Sequence, residues 1–317
     1  MIEVKSQLPS NKFGFSTPLR YPGGKGRLGP WISNLLRHNN ISGGWYVEPY
    51  AGGAGAALFL LTNGYVDHVV INDADPVIFA FWLAATNHSK ALTQKIRDTA
   101  ITIDTWYQQR EILARPEAHS LIDVGFAAFL LNRTNRSGIL SGGVIGGKNQ
   151  DGPYKLDARY NVADLTSRIE KIGELAKYIT VLGMDAVDLL STTSQGFPSK
   201  CLVYLDPPYY VKGSQLYRNH YQPDDHAAIA KCVIEADFPV IVSYDDCVEV
   251  RKLYQDVEST NFSLHYSTHT ARPRTSEVMF FKNVQLPEPP VMTRKLHLAQ
   301  QARTKTPSSS QKVFSLE

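Results

Sequence analysis

The sequence predicts a doubly wound α/β fold: a mostly parallel sheet with helices on both faces. Three observations predict it. Short β-branched or aromatic runs alternate with helix-period segments over residues 45–85 and again over 179–260. The first of these runs enters a glycine-rich turn and an apolar helix, and an acid closes the second run about 20 residues after the turn. A later run, Cys201 to Leu205, stops abruptly at Asp206-Pro207-Pro208-Tyr209. In such sheets ligands bind outside the carboxyl ends of the strands.

Residues 1–17 are polar without a period and read as a flexible arm. Tyr21-Pro22-Gly23-Gly24-Lys25 follows, then Leu28, Trp31, Ile32, Leu35 and Leu36 at helical spacing. A glycine loop opening a helix is either an anion site or a plain helix-entry turn. It is not a P-loop, since Gly-x4-Gly-Lys-Ser/Thr is absent. Trp45 to Tyr50 reads as a strand, Ala51 to Gly55 as its glycine turn and Ala56 to Leu61 as a helix. The next strand, Val66 to Ile71, ends at Asn72-Asp73-Ala74-Asp75-Pro76. Asp73 stands where nucleotide-binding sheets grip ribose hydroxyls. Asp75, with a proline at the first helical position, reads as the cap of a helix over 77–85.

Residues 88–135 read as helical, with Ile101-Thr102-Ile103 ambiguous. The dense apolar helix from Val124 to Leu131 ends in Asn132-Arg133-Thr134-Asn135-Arg136-Ser137-Gly138. Residues 138–160 form a long glycine-loosened loop, and loops of this length are functional or disordered. Arg133, Arg136, Lys148, Lys155 and Arg159 gather positive charge there, either as a polyanion site or as incidental solvated charges. Strands are expected at 179–182, 201–205, 238–244, 262–268 and 276–281, and helices at 165–175, 224–236 (capped by Asp224) and 248–254. The sheet therefore spans 18–87 and 178–284, with an inserted helical and loop subdomain at 88–177. Residues 285–317 lack a core pattern and read as a disordered basic tail.

The two prolines after Asp206 forbid both a helix start with free N–H groups and further ladder bonds, and Pro207 pushes Asp206 out of the helical region. The chain leaves the strand in one stiff shape. It presents a carboxylate, carbonyls and an aromatic ring to something flat and polar.

The net charge of +3 divides unevenly. The last 27 residues hold five basic side chains against Glu317, so the other 290 sum to −1. A polyanion would have to meet a local patch. Cys201, Cys232 and Cys247 are odd in number and lack metal-ligand spacing, which fits a reducing compartment, with Cys201 and Cys232 buried. No apolar stretch approaches the ~20 residues of a membrane span, and no apolar signal core follows Met1, so a cytoplasmic protein is expected.

Taken together, the motifs resemble the Dam-type family of DNA adenine-N6 methyltransferases. The family pattern is an aromatic residue followed by x-Gly-Gly-Lys (Tyr21 to Lys25), Glu-Pro-aromatic-x-Gly-x-Gly (Glu48 to Gly55, with an extra glycine at 53), a second-strand acid (Asp73), an insertion with Asn132-Arg133 and Ser137-Gly138, and Asp-Pro-Pro-Tyr (Asp206 to Tyr209). Order and spacing agree over residues 18–282. The resemblance implies a class I methyltransferase sheet of seven strands with an inserted target-recognition subdomain. It implies S-adenosyl-L-methionine as methyl donor, S-adenosyl-L-homocysteine as product and no metal. It places Tyr21, Gly24 and Lys25 by the methionine end of the cofactor. Glu48, Pro49, Gly52 and Gly55 surround the methionine and ribose, Asp73 the ribose hydroxyls, and Asp185 the adenine; Asp206 borders the cofactor as well.

Asp206, Pro207 and Tyr209 then carry the chemistry on an adenine flipped from duplex DNA. Asn132, Arg133, Arg136, Ser137, Lys148 and Arg159 meet the DNA, and residues 272–277 match the family's closing segment. A monomer is expected. A cognate restriction endonuclease and the recognition sequence stay open. Amino methylation of another base or of RNA, and a silent DNA-binding relative, are the alternatives.

Overall fold

A computed structural model of the chain describes residues 17–21, 24–210, 221–263 and 276–290. Seven strands form one sheet in the order β3-β2-β1-β4-β5-β7-β6. They are β1 (Trp45–Glu48), β2 (His68–Asn72), β3 (Ile179–Leu182), β4 (Cys201–Leu205), β5 (Val240–Asp245), β6 (Glu258–Ser263) and β7 (Ser276–Lys282). The first five are parallel to one another, and β7 lies antiparallel between β5 and β6. Strand order reverses between β1 and β4, which pair in register from Trp45 with Cys201 to Val47 with Val203. That reversal is the switch point where such sheets open a crevice.

Side chains alternate across the sheet, as the strand period of two demands. Tyr46, Leu202, Tyr204 and Ile241 face one apolar cluster; Val47, Cys201, Val203 and Val242 face the other. The first face is covered by α1 (Gly29–His38), α2 (Gly55–Thr62), α3 (Pro76–Asn87), α4 (Ser89–Asp98), α5 (Ile103–Ala114), α6 (Leu121–Thr134) and α7 (Val162–Glu174). The opposite face carries α8 (Ala186–Asp188), α9 (Pro223–Glu235) and α10 (Val248–Leu253).

The inserted helices share the core of the sheet. Phe129 on α6 stacks on Phe81 of α3 at 6.0 Å between ring centres. Both rings are fully buried, each stabilising the packing by roughly 1.5–3 kcal/mol. α6 is thereby packed on the helix that follows Asp73.

Several local expectations are adjusted. Asp75 caps α3 by accepting from Val77 N–H, as expected, whereas Asp224 does not cap α9. Pro223 takes the first helical position, so the cap falls on Gln222, and Asp225 reaches back to Gln222 N–H at 2.7 Å. The ambiguous 101–103 segment resolves as Thr102 capping α5. The sixth strand starts earlier than expected, at Glu258, and residues 264–268 of its expected span lie outside the described residues. Cys201 is buried, but Cys232 is only half-buried. The start of the expected disordered tail is instead docked on α1: Trp31 Nε1 donates to the Glu288 carbonyl at 3.0 Å, and Asn39 exchanges two hydrogen bonds with the Gln285 backbone. The arm over residues 1–16, Pro22 and Gly23, the segment 264–275 and the tail from 291 lie outside the described residues.

Candidate active site

The strand ends at the switch point are stapled before any ligand is considered. Asn72, fully buried at the end of β2, donates to the carbonyls of Pro49 and Met184 and accepts from Met184 N–H, all at 2.9 Å. Three loops are locked together by one amide. Asp73 then fixes the glycine turn: its Oδ2 accepts from Gly52 N–H at 2.9 Å and its Oδ1 from Asp75 N–H at 3.0 Å. The Gly52 carbonyl accepts from Trp82 Nε1 at 2.8 Å. Gly52 has φ +45°, and a Cβ there would stand 2.7 Å from the Tyr21 ring. A Cβ on Gly55 would meet the Gly26 backbone at 3.1 Å. The expectation was that these glycines admit a ligand to the backbone. The structure gives them a prior task, letting the Tyr21–Gly26 loop pack against the Ala51–Gly55 turn.

Two carboxyls line this cleft without a cationic partner among the described residues. Burial pushes Asp73 up to about 7, against the pull of its two backbone donors. Burial likewise pushes Glu48 up to about 8, with the Tyr46 hydroxyl and Ala57 N–H acting the other way. Glu48 accepts from Ala57 N–H at 3.1 Å and so ties β1 to α2.

At the end of β4 the charges are paired. Lys25, buried, lies 2.9 Å from Asp206 Oδ1 and 3.5 Å from Glu277 Oε2. Burial works against the ammonium, yet the Asp206 and Glu277 carboxylates hold it well above the usual lysine range. Ser243 on β5 donates to the same Asp206 Oδ1 at 2.7 Å. Its single proton is thereby used, so Tyr204, 2.9 Å away, is the donor in their hydrogen bond. Burial, with Asp206 adding to it, raises the Tyr204 phenol well above its usual range and keeps it a donor. Asp206 is thus gripped through one oxygen, while the residue itself lines the cleft. Tyr209 hydroxyl donates to Glu277 Oε1 at 2.8 Å.

The cleft, open to solvent, brings together Tyr21, Gly24, Lys25, Glu48, Gly52, Asp73 and Asp206. Pro49 and Gly55 do not line it; the Pro49 carbonyl is held behind it by Asn72, and Gly55 packs on Gly26. Asp185 does not line the cleft: it is exposed and caps α8 through Val187 N–H. Tyr50 and Tyr221, joined by a 2.8 Å hydrogen bond, line the cleft instead. Neither they nor Ser243 were singled out from sequence. Tyr50 sat in plain view in the Glu-Pro-aromatic motif. Ser243 left a weaker signal, a polar residue inside the apolar run Val240–Tyr244.

The expected DNA-contacting residues divide into two groups. Asn132 is 1% exposed, and its amide is used up by the backbone N–H and carbonyl of Arg20 and by the Gly138 carbonyl. It anchors the loop rather than facing DNA. Arg133 is half-buried, donating to the carbonyls of Arg159 and Pro18. Burial, then the charges of Arg20 and Arg168, bring it down to about 10. Arg136, Ser137, Lys148 and Arg159 are exposed. Arg136 and Lys148 line a second groove with Trp106, Tyr107 and Arg110 of α5. Arg110 lies over the Trp106 ring at 4.9 Å and Lys148 over Tyr107 at 5.8 Å. The α5 residues were not anticipated, because their helix reads as ordinary amphipathic sequence. The groove is tied to the cleft: Trp106 Nε1 donates to Asn135 Oδ1 at 2.7 Å, and Arg20, next to Tyr21, donates to the Asn135 carbonyl at 3.2 Å.

The strand order with its antiparallel β7, and a cleft at the β1–β4 switch point bounded by Asp73 and Asp206, define a class I methyltransferase fold. The D12 class N6 adenine-specific DNA methyltransferase family matches residues 21–271, most of the chain. The chain belongs to this family. No curated protein matches it. Among solved structures, protein LPL1258 from Legionella pneumophila str. Philadelphia 1, of the DUF519 family, is similar at 13% identity, over 83% of this chain and 85% of that one, with a TM-score of 0.32. Among the described residues no helix is long and apolar enough to cross a membrane, and no three His, Cys, Asp or Glu side chains form a metal-holding group.

Proposed function

We propose that the chain transfers a methyl group from S-adenosyl-L-methionine to N6 of an adenine flipped out of duplex DNA, at a specific site and in the cytoplasm. The observation that carries this reading is the setting of Asp206. Its Oδ1 is held by Lys25 and Ser243, and the residue borders the cleft at the stiff exit of β4.

The donor set fits the cofactor. Asp73, raised toward neutrality by burial, is a carboxyl that gains from hydroxyl donors, as a ribose supplies. Tyr21, Gly24, Glu48, Gly52 and Gly53 give a mixed polar and apolar wall for the rest of the molecule. When bound, S-adenosyl-L-methionine supplies an electrophilic sulfonium methyl and is left as S-adenosyl-L-homocysteine.

The chain's own residues address the nucleophile. The exocyclic amine of adenine is poor, since its lone pair is delocalised into the ring. Hydrogen bonds from its two protons to the Asp206 carboxylate and the Pro207 carbonyl favour a tetrahedral nitrogen and stabilise the positive charge that develops on it, and one of these protons then leaves to Asp206 or to water. Pro207 and Pro208 fix these acceptors, and orientation is a large share of such a barrier. Tyr209 offers a face for the extruded base. Direct transfer in this way needs no metal. Arg136, Lys148, Tyr107 and Arg110 supply the DNA-facing groove, with basic groups for phosphate or base edges.

The test is chromatography of nucleosides from DNA incubated with protein and S-adenosyl-L-methionine. N6-methyladenine is expected; 4-methylcytosine or no modified base would refute the reading. Asp206→Asn keeps the shape and removes the charge. It is expected to lower the transfer rate by about 10²–10³-fold or more. A rate near that of wild type would remove Asp206 from the chemistry.

A further inference from the structure

The two tyrosines that leave the Pro-Pro turn are each held by an acid from a neighbouring strand. Tyr210 N–H donates to Asp245 Oδ1 on β5 at 2.9 Å, and the Tyr209 hydroxyl donates to Glu277 Oε1 on β7 at 2.8 Å. Asp245 and Glu277 are directly opposed in the antiparallel β5–β7 register. Like charges facing each other weaken a sheet, and a carboxylate only 2% exposed is costly unless paired. Strand propensity does not ask for it: β7 continues Val278-Met279-Phe280-Phe281, all apolar. Among the described residues two contacts bear on the acid. Its Oε1 accepts from the Tyr209 hydroxyl, and its Oε2 lies 3.5 Å from Lys25 Nζ, whose nearer partner is Asp206 Oδ1 at 2.9 Å.

We propose that Glu277 is a positioning residue for methyl transfer: it joins Lys25 on the cofactor side of the cleft to Tyr209 on the base side, so that both halves hold one geometry. This rests on the reading of the cleft given above. Lys25 divides its charge between two carboxylates, and that leaves Asp206 as an acceptor for the target amine. A phenol bonded to a carboxylate is held more firmly than one bonded to a neutral acceptor, so the Tyr209 ring keeps one orientation. Remote misplacement of a reacting group by about 1 Å can cost on the order of 100-fold in rate.

Glu277→Gln keeps an oxygen for Tyr209 and removes the charge beside Lys25. Tyr209→Phe keeps the ring and removes the link. Single-turnover transfer to unmethylated genomic DNA is measured for each and for the double variant, with affinities for S-adenosyl-L-methionine and for DNA, and the thermal midpoint, on the same preparations. Each single change is expected to slow transfer about 10–100-fold with both affinities held within about threefold, and the double variant to be no slower than the worse single one. Three results overturn the proposal: single-turnover rates within about twofold of wild type, losses that multiply in the double variant, or a slower rate that follows lost cofactor affinity or a lost fold. Failure of the underlying reading looks different, because wild type itself would then transfer nothing.

Discussion

Two glycine-rich stretches do opposite things in this molecule. In the turn over 51–55 every glycine touches something: Gly52 and Gly53 pack on Tyr21, and Gly55 on Gly26. In the loop over 138–160 the root is just as tight, since a Cβ on Gly138 would stand 2.1 Å from the Arg20 carbonyl. Farther out the packing is uneven: a Cβ on Gly146 would stand 2.5 Å from the Tyr154 carbonyl, whereas one on Gly143 would meet nothing within 4 Å. The turn is a fixed wall whose charged neighbours, Glu48 and Asp73, are buried and half-buried. Arg136 just before the loop, and Lys148 and Arg159 within it, are exposed to solvent. On the function proposed above, chemistry that depends on orientation would sit on the packed turn, and recognition on side chains free to adapt to a partner.

The largest expected effect breaks the fixed half. Gly52→Ala meets both a left-handed φ, roughly 1–2 kcal/mol for a residue with a Cβ, and a 2.7 Å clash with the Tyr21 ring, about 1–3 kcal/mol more. A thermal midpoint lowered by several degrees and at least tenfold weaker S-adenosyl-L-methionine binding are expected, about 1.4 kcal/mol per tenfold. Gly143→Ala, in open space, should change stability by no more than about 0.5 kcal/mol. If calorimetry ranks the two the other way, the contrast between wall and loop is wrong. On the recognition side, Arg136→Ala should weaken DNA binding by ~1–3 kcal/mol and relax sequence preference if the guanidinium reaches a base edge. Loss of affinity with preference intact assigns it to phosphate, and no change in either makes it a solvated surface charge.

The two halves also differed in legibility. The sheet and part of the lining of the cleft, Tyr21, Lys25, Glu48, Gly52, Asp73 and Asp206, could be read because each leaves a local mark. A glycine needed at φ +45°, an acid about 20 residues beyond it and a proline pair that ends a strand are short-range signals. What stayed hidden depends on neighbours distant in sequence. Asn132 looks like a polar, DNA-facing residue, and only its contacts with Arg20, 112 positions away, show that its amide is used up. Asp185 lies near the cleft in sequence logic but is turned out to cap its own helix. Ser243 and Glu277 acquire meaning only when β5 and β7 align beside β4. Trp106, Tyr107 and Arg110 follow an unremarkable helical pattern, and folding alone sets them opposite Arg136 and Lys148.

The smallest effect is a pH dependence that belongs to the fixed half. Burial raises Asp73 from 3.8 to about 7 and Glu48 from 4.5 to about 8. Below about pH 3 both carboxyls are protonated whether the chain is folded or not. Between there and about pH 8 the folded chain retains protons that the unfolded chain has released, so the ligand-free protein loses stability as pH rises through this window. Cofactor binding should run the other way. A ribose hydroxyl donating to Asp73 favours its ionised form, so binding expels a proton, and affinity climbs with pH up to about 7 by at most tenfold per unit. Titration calorimetry in two buffers of different ionisation enthalpy reads the released proton directly, and Asp73→Asn should abolish it. Cofactor affinity that is flat from pH 6 to 8 would mean that Asp73 only pins the Gly52 turn, and the wall would then be a scaffold without a hand on the ligand.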